Sequence, residues 1–208
     1  MELKDSGNRR EFSSGAVRDI AEGKGRCDLL PLGVIGEISG NTVFTNIDEY
    51  IRTGDKMLLV EAIKEFSNIQ YGDLNTAMLE VSKHYEDGCN KYGERNWEMG
   101  IPLHCYIDSG VRHYFKWLRG DTDEPHDRAF LWNLLGALWT HNYKPEFCDL
   151  PFKSAYGKKL ESNSKRRNRR KNHELQAQKQ GRQGYFPAPC GQGFCQKSNG
   201  GCVRTAHH

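Results

Sequence analysis

Residues 120–142 read GDTDEPHDRAFLWNLLGALWTHN, and the reading of this stretch decides the fold. An acidic turn leads into Glu124-Pro125, and proline is accepted in a first helical turn, where its missing N–H has no partner to lose. Beyond it the apolar side chains of FLWNLLGALW surround most of a helix instead of forming one stripe. A helix that is apolar all round is buried all round, so this segment is expected to be the central helix of a bundle.

Upstream, Ile107, Val111, Tyr114 and Leu118 recur at i, i+4, i+7 and i+11 within residues 103–119, which Gly120 terminates. That stripe leaves Asp108, Arg112 and Arg119 off the apolar face. Residues 75–86 predict another helix, with Asn75 as its cap, Leu79 and Val81 among good helix formers, and Gly88 as its stop. Shorter helices are expected near 48–52 and 56–66, and Leu32, Ile35 and Ile38 share one face of a helix opened by Pro31. The first thirty residues mix glycine with alternating charge and read as an ordered loop or short-helix segment. No stretch shows sustained strand alternation with hairpin turns, and no repeat is visible. The expected fold class is all-α: a small helical bundle with a Gly-rich N-terminal segment and a disordered basic C-terminal tail.

Charge marks the boundary between bundle and tail. Residues 158–208 carry twelve Lys/Arg against two acids, Glu161 and Glu174, so they hold +10 while the whole chain is +3 and residues 1–157 are −7. The apolar fraction is 37% and the mean hydropathy −0.78, polar enough that part of the chain adds length without core. The division expected is a helical domain over 1–157, a basic linker over 158–189 and a Cys-rich tail over 190–208. The run KRRNRRK at 165–171 would attach weakly and salt-sensitively to nucleic acid. Cys190, Cys195, Cys202 and His207 are spaced as four zinc ligands or as free tail thiols. Cys27, Cys89, Cys105 and Cys148 show no pairing rhythm and read as reduced thiols. Without an apolar run of membrane-spanning length or a signal-like opening, the chain is expected in the cytoplasm. A body of −7 that handled polyphosphates would need a metal ion, because uncompensated carboxylates repel such substrates.

Glu124 and Asp127 stand at i and i+3, a spacing that can share a divalent cation or simply complement a helix dipole, and His126 between them adds an imidazole. The segment HYEDGCNKYGERNWEMG, residues 84–100, is dense in polar groups for a connector. One reading puts Lys91 and Arg95 on phosphates and Asn96 or Trp97 on a base; the other makes Gly88 a C-cap, Tyr92 and Trp97 core anchors, and the charges a solvated rim. Arg112 is a phosphate clamp or a surface cation. Lys24 and Arg26 flank Gly25 and could approach phosphate oxygens, although the order of a P-loop is missing. Arg9, Arg10 and Arg18 read equally well as solvated.

The runs KDSGNRREF, GAVRD, GKGRCDLLP, KYGERNW, SGVRHYFKWLRG and DEPHDRAFLWN, in that order over about residues 4–151, resemble the phage-encoded dATP/dGTP diphosphohydrolase family, related in function to MazG-like all-α pyrophosphohydrolases. The resemblance implies cleavage of a purine dNTP to monophosphate and pyrophosphate with Mg²⁺, Mn²⁺ or Co²⁺, phage nucleotide metabolism in the host cytoplasm, and a homo-oligomer. MazG-like enzymes hold metal through an ExxE pair and an ExxD pair. Only the second is found here, as Glu124 and Asp127, so Asp108 is a further metal candidate and Glu80, Glu86 and His113 are the catalytic ones. Two alternatives stand beside this reading. In an HD-type phosphohydrolase releasing triphosphate, His84 or His113 would join His126-Asp127. In a nucleic-acid-binding module, KRRNRRK would carry the function.

Overall fold

The computed structural model describes residues 7–152, and the expectations for 158–208, including the zinc ligands and the basic run, lie outside them. A two-stranded antiparallel ribbon, β1 (Arg9–Glu11) and β2 (Val17–Asp19), precedes six helices. These are α1 (Leu32–Ser39), α2 (Thr42–Thr53), α3 (Lys56–Tyr71), α4 (Leu74–Tyr92), α5 (Leu103–Arg119) and α6 (His126–Tyr143). The fold is thus small and mostly helical, with a ribbon that the sequence did not announce. Three-residue strands, RRE and VRD, are too short to show an alternation.

Local chemistry sets the helix starts. The Asn41 side chain accepts from the Val43 and Phe44 amides, Asp55 from Met57, and Asp73 from Asn75 and Thr76. Each satisfies orphan donors of a first turn. The cap of α4 is therefore Asp73, not Asn75. Gly88 does not stop that helix, which runs four residues further to Tyr92, because Gly88 sits in the helix with open space where a Cβ would point. Much of the dense polar segment is accordingly helical. α5 stops at Gly120, whose φ of 81° is the left-handed conformation that glycine adopts without strain.

The core lies where α6 meets α5, α4 and α3. Phe66, Tyr114 and Phe130 pack their rings with centroids 4.7 to 5.7 Å apart. Gly136 lets Tyr106 lie against α6, since a Cβ there would overlap the ring. Gly110 similarly admits Asn133, whose Cβ would be 3.2 Å away. The predicted stripe on α5 holds for Ile107, Val111 and Tyr114, while Leu118 is half exposed. Asp108, although off the stripe, is buried, because the loop at residues 24–27 covers it. Ile38 and Leu79 are 83% and 70% exposed, so the face expected on α1 ends after one turn and the buried positions of α4 are Ala77, Val81 and His84. No helix among the described residues is long and apolar enough to cross a membrane. Cys27, Cys89, Cys105 and Cys148 form no disulfide.

The last described turn is tied to the start of α5 by His104. Its backbone N–H donates to Asp149 at 3.0 Å, and its ring pairs with the same carboxylate. This hydrogen bond, with the Cys105 thiol adding, raises the His104 imidazole from 6.5 to about 10. A histidine raised on folding contributes stability that is complete below its unfolded value and is lost as pH climbs to the folded one. We predict that Asp149→Asn lowers the denaturation midpoint near pH 6 and that its gap to the unsubstituted chain closes progressively toward pH 10. A gap constant over that window would contradict the pairing.

Candidate active site

A cavity of about 390 Å³ opens between the ribbon, α4, α5, the turn before α6, and α6 itself. Its charged lining is Arg10, Arg18, Lys24, Lys91, Arg112 and Lys116 against Asp19, Asp108 and Glu124. Although residues 1–157 sum to −7, the cavity has twice as many cations as carboxylates.

These cations differ in what they face. Lys91 pairs with Asp19 at 2.8 Å, and the Tyr92 hydroxyl donates to the other oxygen of that carboxylate at 2.8 Å. Arg112 donates to Asp108 at 2.6 Å and to the carbonyls of Lys24 and Gly25 at 3.3 and 3.0 Å. Asp108 also accepts the Cys27 amide at 2.7 Å, so Asp108 and Arg112 staple residues 24–27 onto α5. Arg18 is another case. Its guanidinium donates to the Cys105 carbonyl at 3.2 Å and to Asn133 Oδ1 at 2.9 Å. It also lies 5.3 Å from the ring centroids of Tyr106 and Trp132. All of these partners are neutral, and no carboxylate among the described residues pairs with it. Burial pushes its pKa down. Arg10, 4.9 Å from the Phe12 centroid, has a buried Nε without a hydrogen-bond partner.

Histidines and one carboxylate occupy another part of the lining. His113 Nδ1 lies 3.0 Å from His126 Nδ1, and Glu124 Oε1 is 3.6 Å from each of those nitrogens. His126 Nε2 is 2.8 Å from Asp123. Burial, reinforced by the neighbouring His126, His84 and cations, holds His113 well below the ordinary histidine range. Burial likewise lowers His84 to about 4, and its Nδ1 has no hydrogen-bond partner.

Of the expected site residues, the structure gathers Lys24, Lys91, Asn96, Asp108, Arg112, His113 and Glu124 around this cavity. It places the others elsewhere. Asp127 accepts from the Tyr71 hydroxyl at 2.8 Å and from Gln70 at 3.2 Å, so Glu124 and Asp127 face different neighbours despite their spacing. Glu80 is paired with Lys83 and Arg128, and Glu86 is exposed; neither lines the cavity. Arg26 is held by Asp28 at 2.6 Å and Arg95 by Glu98, both on the outer surface. Trp97 packs edge-on against the half-buried Trp139, 4.9 Å between centroids. Asn96 does not face a base: its amide accepts from Val17 N–H at 2.8 Å and donates to the Val17 carbonyl at 2.9 Å, completing the edge of β2. Arg18 was hidden in the sequence because its contacts with Trp132 and Asn133 come from more than a hundred residues away.

The fold and lining define a helical domain built around a cation-rich, histidine-bearing cavity suited to phosphate groups. Residues 61–149 match the family model described as dATP/dGTP diphosphohydrolase, N-terminal. The match supports a function of the dATP/dGTP diphosphohydrolase type. The match covers α4 to α6 but not the ribbon that supplies Arg10 and Arg18. No curated protein and no solved structure matches the chain.

The Asn96 bracket yields a direct test. Replacing Asn96 by alanine leaves the Val17 amide and carbonyl without partners, a loss of about 1–3 kcal/mol per buried group. We predict that Asn96→Ala speeds hydrogen exchange at Val17 and Arg18 more than at Val111 in α5. Equal protection in both proteins would show that the ribbon needs no such bracket.

Proposed function

We propose that the protein hydrolyses dGTP or dATP to the deoxynucleoside monophosphate and pyrophosphate, with a divalent ion, as part of phage nucleotide metabolism. The observation that carries this reading is Arg18: a partly buried guanidinium with only neutral partners, in a cavity with more cations than carboxylates. Burying a charge that lacks an opposite charge costs several kcal/mol. Two neutral hydrogen bonds and two aromatic faces, the latter worth about 0.5–2 kcal/mol each, offset this in part. A polyphosphate would supply the missing anion.

In this reading Arg18, Arg10 and Lys24 neutralise the triphosphate, and the already paired Lys91 and Arg112 shape the wall. A water oxygen bonds to the α-phosphorus while the bond from that phosphorus to the α,β-bridging oxygen breaks. Pyrophosphate leaves with the bonding electron pair. His84 is uncharged at neutral pH and faces the cavity with Nδ1 unbonded, so it is placed to accept the water proton. A bound divalent ion supplies charge neutralisation on the phosphates. Of the three carboxylates expected to hold magnesium, Asp108 and Asp127 are engaged by their neighbours, and only Glu124 remains. An all-oxygen protein site of the kind magnesium favours therefore does not fit these residues. Self-association and a salt-sensitive contact of residues 165–171 with nucleic acid belong to the same proposal on sequence grounds.

A second reading, an HD-type hydrolase releasing triphosphate, is favoured by the meeting of His113 with His126 and opposed by the engagement of Asp127 with Tyr71. Product analysis separates the two. Incubated with each dNTP and manganese or magnesium, the full chain is expected to turn dGTP or dATP into monophosphate and pyrophosphate on ion-exchange chromatography. Triphosphate with free deoxynucleoside would establish the second reading, and no turnover of any dNTP would overturn both.

A further inference from the structure

Glu124 is a largely buried carboxylate whose side chain makes no hydrogen bond among the described residues, its nearest cation being Lys116 at 3.7 Å. It stands with two ring nitrogens in a triangle of 3.0, 3.6 and 3.6 Å. Three atoms at these separations lie about 2.0 Å from their common centre, and a metal–imidazole bond is about 2.0–2.1 Å long. Hydrogen bonding alone leaves the arrangement incomplete, because the carboxylate is too far from either nitrogen to accept from it.

The tautomers point the same way. Asp123 is an acceptor when ionised, so His126 carries its hydrogen on Nε2, 2.8 Å from that carboxylate, and turns the Nδ1 lone pair toward His113 and Glu124. A carboxylate behind the distal nitrogen of an imidazole is the usual support of a metal-bound histidine. An independent feature of the same cavity is His84, 8% exposed, whose Nδ1 has no partner. It is a polar atom left for something that enters the cavity.

We propose that His113, Glu124 and His126 form a three-ligand site for a divalent transition-metal ion, with Asp123 positioning His126 and the remaining coordination positions open to water or phosphate oxygen. Two imidazoles and one carboxylate suit ions of the manganese-to-zinc series, whereas magnesium and calcium prefer oxygen ligands. This deepens the hydrolase reading by naming the class of ion at that site. It departs from the Glu124–Asp127 pair that the sequence spacing suggested.

The test is a cobalt(II) titration of the full chain without nucleotide, read from the visible ligand-field bands and from calorimetry. Cysteines elsewhere in the chain are common to all the proteins compared, so the difference between variants reports this site. The expected result is one equivalent bound through these residues and resistant to a large excess of magnesium. His113→Ala and Glu124→Gln should each weaken that equivalent more than about tenfold, Asp123→Asn about 10–100-fold, while Asp127→Asn leaves it unchanged. Glu124→Gln removes no hydrogen bond and keeps the test open should His113→Ala fail to fold. Cobalt binding unaltered in folded Glu124→Gln, or lost in Asp127→Asn, overturns the site. The two proposals fail separately: a chain that binds cobalt through this triad but hydrolyses no dNTP keeps the site and loses the hydrolase. One that hydrolyses dNTPs with the triad irrelevant to cobalt does the reverse.

Discussion

Arg18 sits under the ribbon with its charge facing carbonyl, amide and aromatic groups. A charge in that position raises the free energy of the empty protein, and much of the surrounding structure serves to keep it there. The Asn96 amide clips β2 to the loop that follows α4, Lys91 and Tyr92 hold Asp19 at the far end of the strand, and Arg112 with Asp108 fastens residues 24–27. Asp19 is the carboxylate closest to Arg18 in sequence, and it is occupied by Lys91 and Tyr92. A guanidinium held in place by neutral groups keeps its charge available for a ligand.

The same division of charge reconciles an acidic domain with an anionic substrate. Many of its carboxylates are spent locally: Glu80 on Lys83 and Arg128, Asp28 on Arg26, Asp48 and Glu49 on Arg52, Asp121 on Arg119. Exposed pairs of this kind contribute little to stability, but they lie away from the cavity, where cations outnumber acids. The net charge of residues 1–157 therefore does not give the charge of the cavity lining. Charge at the distance of a hydrogen bond outweighs the sum over the domain, which salt screens beyond about 8–10 Å.

How much could be read from the sequence depended on whether a signal was local. The central helix was legible because an apolar residue at nearly every position of 130–139 leaves no solvent face, and α5 because its stripe and Gly120 are complete within one element. The ribbon was not legible, since its pairing is stabilised by Asn96, 79 residues from Val17. Within the site, Lys24, Lys91, Arg112, His113 and Glu124 were marked by residue type and do line the cavity. Asp127 was marked by spacing, yet i and i+3 on a helix fix only the side on which two groups start. Here α6 begins only at His126, with Pro125 as its N-cap residue, so Glu124 lies before the helix, and Tyr71 and Gln70 from α3 claim Asp127. Arg18 carried no local mark at all.

The central claim, that Arg18 holds its charge for the phosphates of a purine dNTP, is tested most directly by calorimetric binding of α,β-methylene dGTP and of dGMP to the full chain and to Arg18→Gln. A charged hydrogen bond is worth about 1.5–3 kcal/mol, or roughly 10–150-fold in affinity. The account predicts a loss of that size for the triphosphate analogue, a smaller one for dGMP, and an unchanged helical circular dichroism spectrum. Equal affinity of both proteins for the analogue, with the variant folded, would contradict it.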